Sequence, residues 1–418
     1  MIEENANIGS VGFNGNTPQL RSLAVVTTLL TLVTLGIYRF WARTRLRRYF
    51  WSAVTLDGHG FEYTGKGIEK LIGFLIAVAV LAIYLGTFQV ALSFAGMSLF
   101  EAVDSDGDQI RGVLLTYATF LFLAPLIFYA QYRARRYMLS RTKWKGIRFG
   151  ADQAAWGYAI RAIGHWMLTF LTLGILLPRQ TFYLEKYKAD RTWFGTAQFV
   201  QEGRWQSLYP AMKHIIMGFA ITVIGGAMMS MLFWTGSLEG DTAGIDIAIA
   251  VLAGSMIFIG TVWFYIGFAY YNVHSHRILT SNKTLGGNIQ FTSEPRTARI
   301  IGIYLLGGLI ISLLAPIIAG LIGGILGVLS SQILSGVDVG LGETPAGVGV
   351  GIVLGYITLF VVLAVLSLIF IKQPIIEHFA QVTTVHNAEE LDEIEQREGD
   401  QMIEAEGFAD ALDVGAGF

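Results

Sequence analysis

Long apolar runs divide the chain at residues 23–41, 71–97, 113–129, 157–177, 215–234, 245–271, 300–329 and 348–371. Several exceed the roughly 18–20 residues that a helix needs to cross a bilayer. They are continuous rather than alternating, which predicts membrane helices and not the strands of a membrane barrel. The polar connections are of two kinds. The stretch 96–109 holds Glu101, Asp104, Asp106 and Asp108 without a Lys or Arg, and 235–246 and 330–346 are likewise acidic or neutral. The stretches 39–70, 131–148, 179–213 and 273–299 carry nearly all the basic residues. The positive-inside rule places this second group in the cytosol.

Strict alternation then fails at 157–177, which has a basic connection on each side, and more mildly at 23–41. Both runs are expected to enter the membrane and return without crossing. This predicts an all-α polytopic membrane protein of about six spanning helices plus two membrane-entering, non-crossing segments, with both termini cytosolic. Eight spans, with one basic loop outside, is the alternative.

An internal repeat supports the first topology. TLGIYRFWARTRLRRY from Thr34 aligns without gaps on TLGILLPRQTFYLEKY from Thr172, pairing Gly36 with Gly174, Tyr49 with Tyr187, Phe61 with Phe199 and Gly65 with Gly203. The spacing of Tyr49, Ser52, Gly58 and Phe61 recurs at Tyr137, Ser140, Gly146 and Phe149, and LTSNKTLGGNIQF, ending at Phe291, is a looser copy. The chain divides on this basis into module 1 (1–148), module 2 (149–290), a degenerate module 3 (291–385) whose long apolar run is expected to break at Pro316, and an acidic tail (386–418). Short glycine-bounded segments such as FEYTG at Phe61, IRFG at Ile147, AQFVQEG at Ala197 and NIQFT at Asn288 predict short cytosolic β elements that pair with one another.

Composition agrees. Hydrophobic residues make up 53% and charged residues 14% of the chain, against roughly 25% charged in soluble domains; the mean hydropathy is +0.54. The absence of cysteine excludes disulfides, thiolate catalysis and cysteine-based metal sites. Acidic residues near the start and the lack of an early apolar core argue against a cleaved leader.

The basic stretches are the main candidate chemistry. Arg39, Arg43, Arg45, Arg47 and Arg48 alternate with Trp41 and Trp51, and a second cluster holds Arg133, Arg135, Arg136, Arg141, Lys143, Trp144, Lys145 and Arg148. Interfacial Trp with clustered Arg suits anionic headgroups, at about 1 kcal/mol per charge. Plain topological anchoring is the competing explanation. DSDGDQ at Asp104 fails as a calcium loop, with glycine at the wrong position and Leu115 where the bidentate Glu belongs. His274 and His276 could share one face of a strand, without a third metal ligand nearby. Arg161 and His165 are the deep polar candidates. Lacking other intramembrane charges, the chain does not read as a proton-coupled carrier. The glycine runs from Gly320 and Gly347 suit close helix packing, within the chain or in a homo-oligomer, or a small-residue pore. No catalytic motif, metal, cofactor or nucleic-acid partner is expected. The best reading is a non-enzymatic module that binds anionic phospholipid, with a passive channel or transporter as the alternative.

TLGIYRFWARTRLRRYFWSAVTLDGHGFEYTG and YRARRYMLSRTKWKGIRFG resemble the YjgN family of bacterial inner-membrane proteins, over about 13–384, and the ending AEGFADALDVGAGF is similar to tails of that family. The resemblance implies an inner-membrane location and no established activity. The third module departs from the pattern, with PIIEHFAQVTT at Pro374 as a distant echo.

Overall fold

Short strands alternate with long helices from one end of the chain to the other. The computed structural model describes residues 8–94, 106–235, 243–333 and 346–397. Residues 95–105, 236–242 and 334–345, which hold most of the acidic connections, and the end of the tail lie outside the described residues; of the Asp104 stretch, Asp106–Gln109 begin a helix.

The elements run β1 (Ile8–Phe13), α1 (Thr17–Val33), α2 (Arg39–Ala53), β2 (Val54–Leu56), β3 (His59–Gly60), β4 (Glu62–Tyr63), α3 (Gly67–Phe94), α4 (Asp106–Ser140), β5 (Thr142–Trp144) and β6 (Ile147–Ala151). Then come α5 (Ala155–Leu171), α6 (Leu177–Ala189), β7 (Thr192–Phe194), β8 (Ala197–Gln201), a 3-10 helix (Trp205–Met212), α7 (Lys213–Thr235), α8 (Ala243–Ser281), β9 (Lys283–Leu285) and β10 (Ile289–Ser293). The described residues end with α9 (Thr297–Ile333), α10 (Ala346–Ser367), a π-helical turn (Leu368–Lys372), α11 (Gln373–Gln381), β11 (Thr383–His386) and a 3-10 helix (Ala388–Glu393).

All strand pairs are antiparallel, in the order β3-β2-β1-β11-β10-β9-β8-β7-β6-β5-β4. The two strands at the ends of that order are separated only by Phe61. They form one strand whose first half pairs with β2 and whose second half pairs with β5, so the sheet closes on itself into a barrel. Closure leaves no exposed strand edge, which is how strands of two to six residues can persist. The expected pairing of the short β elements thus extends to a closed ring, in which β1 and β11 join the two ends of the described chain.

One end of the barrel carries tight turns. Asp57–Gly58 and Lys145–Gly146 both have positive φ at two successive residues, the twist that a two-residue hairpin demands. All the helices leave from the other end as hairpins: α1–α2, α3–α4, α5–α6, α7–α8 and α9 to α11. The lumen is filled by Leu56, Trp144, Phe194, Leu285, Ile289 and Val385, with Phe61, Phe149, Phe199 and Phe291 packed against them. The glycine-to-phenylalanine spacing thus has a physical meaning: the glycine makes the turn and the phenylalanine fills the lumen. At the turn end, Ala388, Leu391 and Ile394 plug the mouth. Asp392 pairs there with Lys145 at 2.6 Å, and Thr196 N–H donates to the Glu395 carbonyl at 2.9 Å.

Among the described residues, six helical segments are long and apolar enough to cross a membrane: Gly67–Phe94, Ile110–Ser140, Trp205–Trp234, Asp246–Ser281, Thr297–Leu329 and Val353–Gln381. This is a polytopic helical membrane protein. Contrary to the expected break, α9 runs through Pro316, as α4 runs through Pro125; membrane helices tolerate proline where local adjustment satisfies the freed carbonyl. Gly218, Gly260 and Gly267 let α7 and α8 approach so closely that an added Cβ at each would strike the backbone of the partner helix. Gly323 is buried, and a Cβ at Gly355 would meet it. Those glycines serve helix packing. His274 and His276 lie on α8 rather than on a strand, stacked on Tyr270 and edge-on to Phe379 respectively.

The α1–α2 and α5–α6 hairpins are absent from the six long apolar segments. Each turns on the same backbone. Leu35 and Leu173 both adopt φ of 50°, followed by Gly36 at 92° and Gly174 at 88°. Gly36 N–H donates to Thr31 O and Gly174 N–H to Thr169 O, both at 2.7 Å, the 6→1 bond of a Schellman cap. Leu35 and Leu173 are 95% and 80% exposed at the two tips. At the bases, the Tyr49 hydroxyl donates to Asn16 O and the Tyr187 hydroxyl to Ala154 O, each latching the second helix to the residue before the first.

Candidate functional site

The arginines near the ends of α2 and α4 lie at the helix end of the barrel, where the hairpins leave it, whereas Lys145 lies at the turn end. On α2, helical phase separates neighbours. Arg45 and Arg48 are exposed, whereas Arg47 is buried with its guanidinium over the Tyr63 ring. Arg48 donates to the Gly65 carbonyl at 2.9 Å, and Arg45 lies over Tyr38. Arg39 lies over Phe40, and Trp41 stacks with Tyr38. Arg43 is half-buried on the same helix. Arg45 and Arg48 share a cavity of about 670 Å³ with Asn14, Gln19, Ser52, Glu62 and Thr64.

On α4, Arg133 and Arg136 line a second cavity of about 270 Å³ with Tyr129, Gln153 and Trp156. Its wall includes the first turn of α5, whose N-cap is Ala154 and has no side-chain cap. The amide groups of a helix N-terminus favour an anion there. Arg133 also lies over the Tyr129 ring, and Arg136 Nε donates to Ala151 O at 3.0 Å. The structure thus assembles two arginine pairs in separate cavities.

The remaining candidates hold the fold together. Arg135 donates to Thr192 Oγ1 at 3.1 Å. Trp51 Nε1 donates to Thr142 Oγ1 at 2.9 Å, joining α2 to β5. Trp144 was expected at headgroup depth; it is 2% exposed inside the barrel, with Nε1 donating to the His59 carbonyl. Lys145 binds the plug, and Lys143 sits opposite Glu62 in the β4–β5 ladder. Arg161 bonds Gly157 O within α5 and lies over the Tyr187 ring. Arg179 meets the His165 ring nitrogen at 3.2 Å, while Tyr183 stacks on its face.

A charged cluster that the sequence did not single out lies at the base of α6. Glu185 receives Lys188 at 2.7 Å and Lys283 at 3.0 Å, tying α6 to β9. Lys188, then Lys283 and Arg135, hold its carboxyl well below the usual 4.5, against the opposing effect of burial. A carboxylate with a depressed folded pKa stabilises the fold above its unfolded value and loses that contribution as pH falls through the folded one. Thermal stability in detergent should therefore fall below about pH 4.5, and Glu185→Gln should flatten that slope. An unchanged slope in the variant would remove Glu185 as its source.

The family of bacterial proteins of unknown function (DUF898) matches residues 9–411. The chain belongs to this family. Among curated proteins it is similar to the inner membrane protein YjgN of Salmonella typhimurium, 26% identical over 149 residues, which is 35% of this chain and 33% of the relative. It is also similar to inner membrane protein YjgN of Escherichia coli strain K12, 27% identical over 158 residues, 38% of this chain and 33% of that protein. The matched segments span about a third of those relatives. No solved structure matches the chain.

Proposed function

We propose that this protein is a non-enzymatic inner-membrane module that holds anionic phospholipid at its cytosolic face. In this reading the barrel and both termini are cytosolic, six helices span, and α1–α2 and α5–α6 dip into the inner leaflet and return. Modules 1–148 and 149–290 are related copies, which the shared turn geometry and tyrosine latches favour; 291–385 is a third that has lost its basic stretch. A homo-oligomer packed through small residues of the spans belongs to the same reading.

One observation carries the lipid reading. Two arginine pairs, Arg45 with Arg48 and Arg133 with Arg136, line cavities at the bases of hairpins with apolar tips. An apolar tip in hydrocarbon and a basic foot among headgroups is the arrangement an interfacial element requires, and guanidinium forks match phosphate oxygens. A passive channel or transporter is the weaker reading, since Gly323 and Gly355, in the candidate small-residue path, meet each other at a helix contact.

The test is lipid retention on purification, by mass spectrometry. Arg45, Arg48, Arg133 and Arg136 are changed to Gln and compared with wild type. At about 1 kcal/mol per charge, each cavity should lose about 2 kcal/mol of anionic-lipid affinity, roughly thirtyfold. Equal retention of cardiolipin and phosphatidylglycerol, with normal insertion, would reduce these arginines to topological anchors.

A further inference from the structure

A third cavity lies on the opposite side of α2 from the Arg45 and Arg48 side chains. It opens at the helix end of the barrel, between the last turns of α2 and α4 and the side of α11, and has a volume of about 260 Å³. Phe50, Trp51, Leu139 and Ile376 form its upper wall, and Phe61 and Phe149 form its floor, where it meets the packed lumen. Besides the Trp51 indole N–H, its one polar side-chain group is the Thr142 hydroxyl. That hydroxyl is already engaged: it donates to Met138 O at 2.8 Å and accepts from Trp51 Nε1 at 2.9 Å.

Water in a cavity needs two to four polar partners, and a dry apolar cavity of roughly 150 Å³ is enough to admit benzene. This one is larger, offers water almost no partner, and opens among helix ends that continue into the apolar spans. Leaving such walls wet costs about 25 cal/mol for every Å². A methylene chain meets the demands of shape and polarity together.

We infer that the barrel mouth is a binding site for one hydrocarbon chain of a membrane lipid, inserted end-on between α2 and α4 onto Phe61 and Phe149. The inference rests on the membrane placement proposed above, and is independent of the arginine cavities. Its chemistry is that of a long apolar chain, which an acyl lipid or an isoprenoid can each supply. Trp51, in the wall, is the reporter.

The experiment uses full-length protein in nanodiscs of neutral phosphatidylcholine, with acyl chains either brominated or not. The Trp51 emission is obtained by subtracting the Trp51→Phe variant from its parent. Brominated chains should quench this emission strongly in wild type. They should quench it far less in Val54→Phe or Leu139→Phe, each of which fills the cavity from a different element. The variant with four arginines changed to Gln should keep full quenching, even where it loses anionic lipid, so failure of the headgroup reading is visible separately. Mass spectrometry of the wild-type extract identifies the native source, an acyl lipid or an isoprenoid accompanying the protein in stoichiometric amount. Absence of quenching at Trp51 would overturn the inference. So would equal quenching in both filled variants, because Trp51 would then sense the surrounding bilayer only.

Discussion

Phe194→Ala should cost about 3–5 kcal/mol of stability, the range for truncating a fully buried aromatic residue. Phe194 is 1% exposed on β7, with ring centroids 4.6 Å from Phe149 and 6.0 Å from Trp144. Its neighbours come from β5 and β6 and from the plug around Leu391. They cannot collapse into the space without breaking strand pairing in a ring whose members hold only a few residues each. Domain stabilities are about 5–15 kcal/mol, so the loss should remove most of the folded population on mild heating. Size-exclusion chromatography in detergent after a temperature series reads it out. Phe219→Ala, at a 47% exposed position on α7, is the control and should barely shift the midpoint. Equal shifts in the two variants would mean that the lumen is not a cooperative core.

The helices were legible because their apolar runs are long. The run 71–97 corresponds to α3 and 300–329 lies within α9, each to within a few residues. Gly58 and Gly146 were legible only as repeat markers; that each makes a tight turn shows in their positive φ alone. Closure of the barrel was not legible. It depends on pairing Ile8 with His386 and Ser10 with Thr384, contacts between opposite ends of the chain that leave no local periodicity. The two-residue strands β3 and β4 are also too short to show one.

The arginine clusters were legible as composition but not as a site. Arg47 and Arg48 are adjacent, yet one packs under Tyr63 and the other is exposed. Only the seating of α2 on the barrel decides which. Trp144 misled for a related reason. A tryptophan beside lysines suits a headgroup layer, but in a strand its side chain alternates with theirs and turns into the lumen. The tyrosine latches were visible as the Tyr49 and Tyr187 pair. Their purpose was hidden, because the acceptors are backbone carbonyls that any residue supplies. The Glu185 cluster joins residues 98 positions apart and carried no sequence signal.

In the proposed topology, all the helical hairpins spring from one barrel on the cytosolic side of the membrane, with α5–α6 returning to it. The most direct measurement is labelling of single-cysteine variants in intact cells with a membrane-impermeant thiol reagent. The chain contains no cysteine of its own, so each label reports one position. His59→Cys at the turn end of the barrel and Lys188→Cys at the foot of α6 should remain unlabelled until the cells are opened, and then both should react. Labelling of Lys188→Cys from outside, with His59→Cys still protected, would place the two at opposite faces of the membrane and contradict a single barrel.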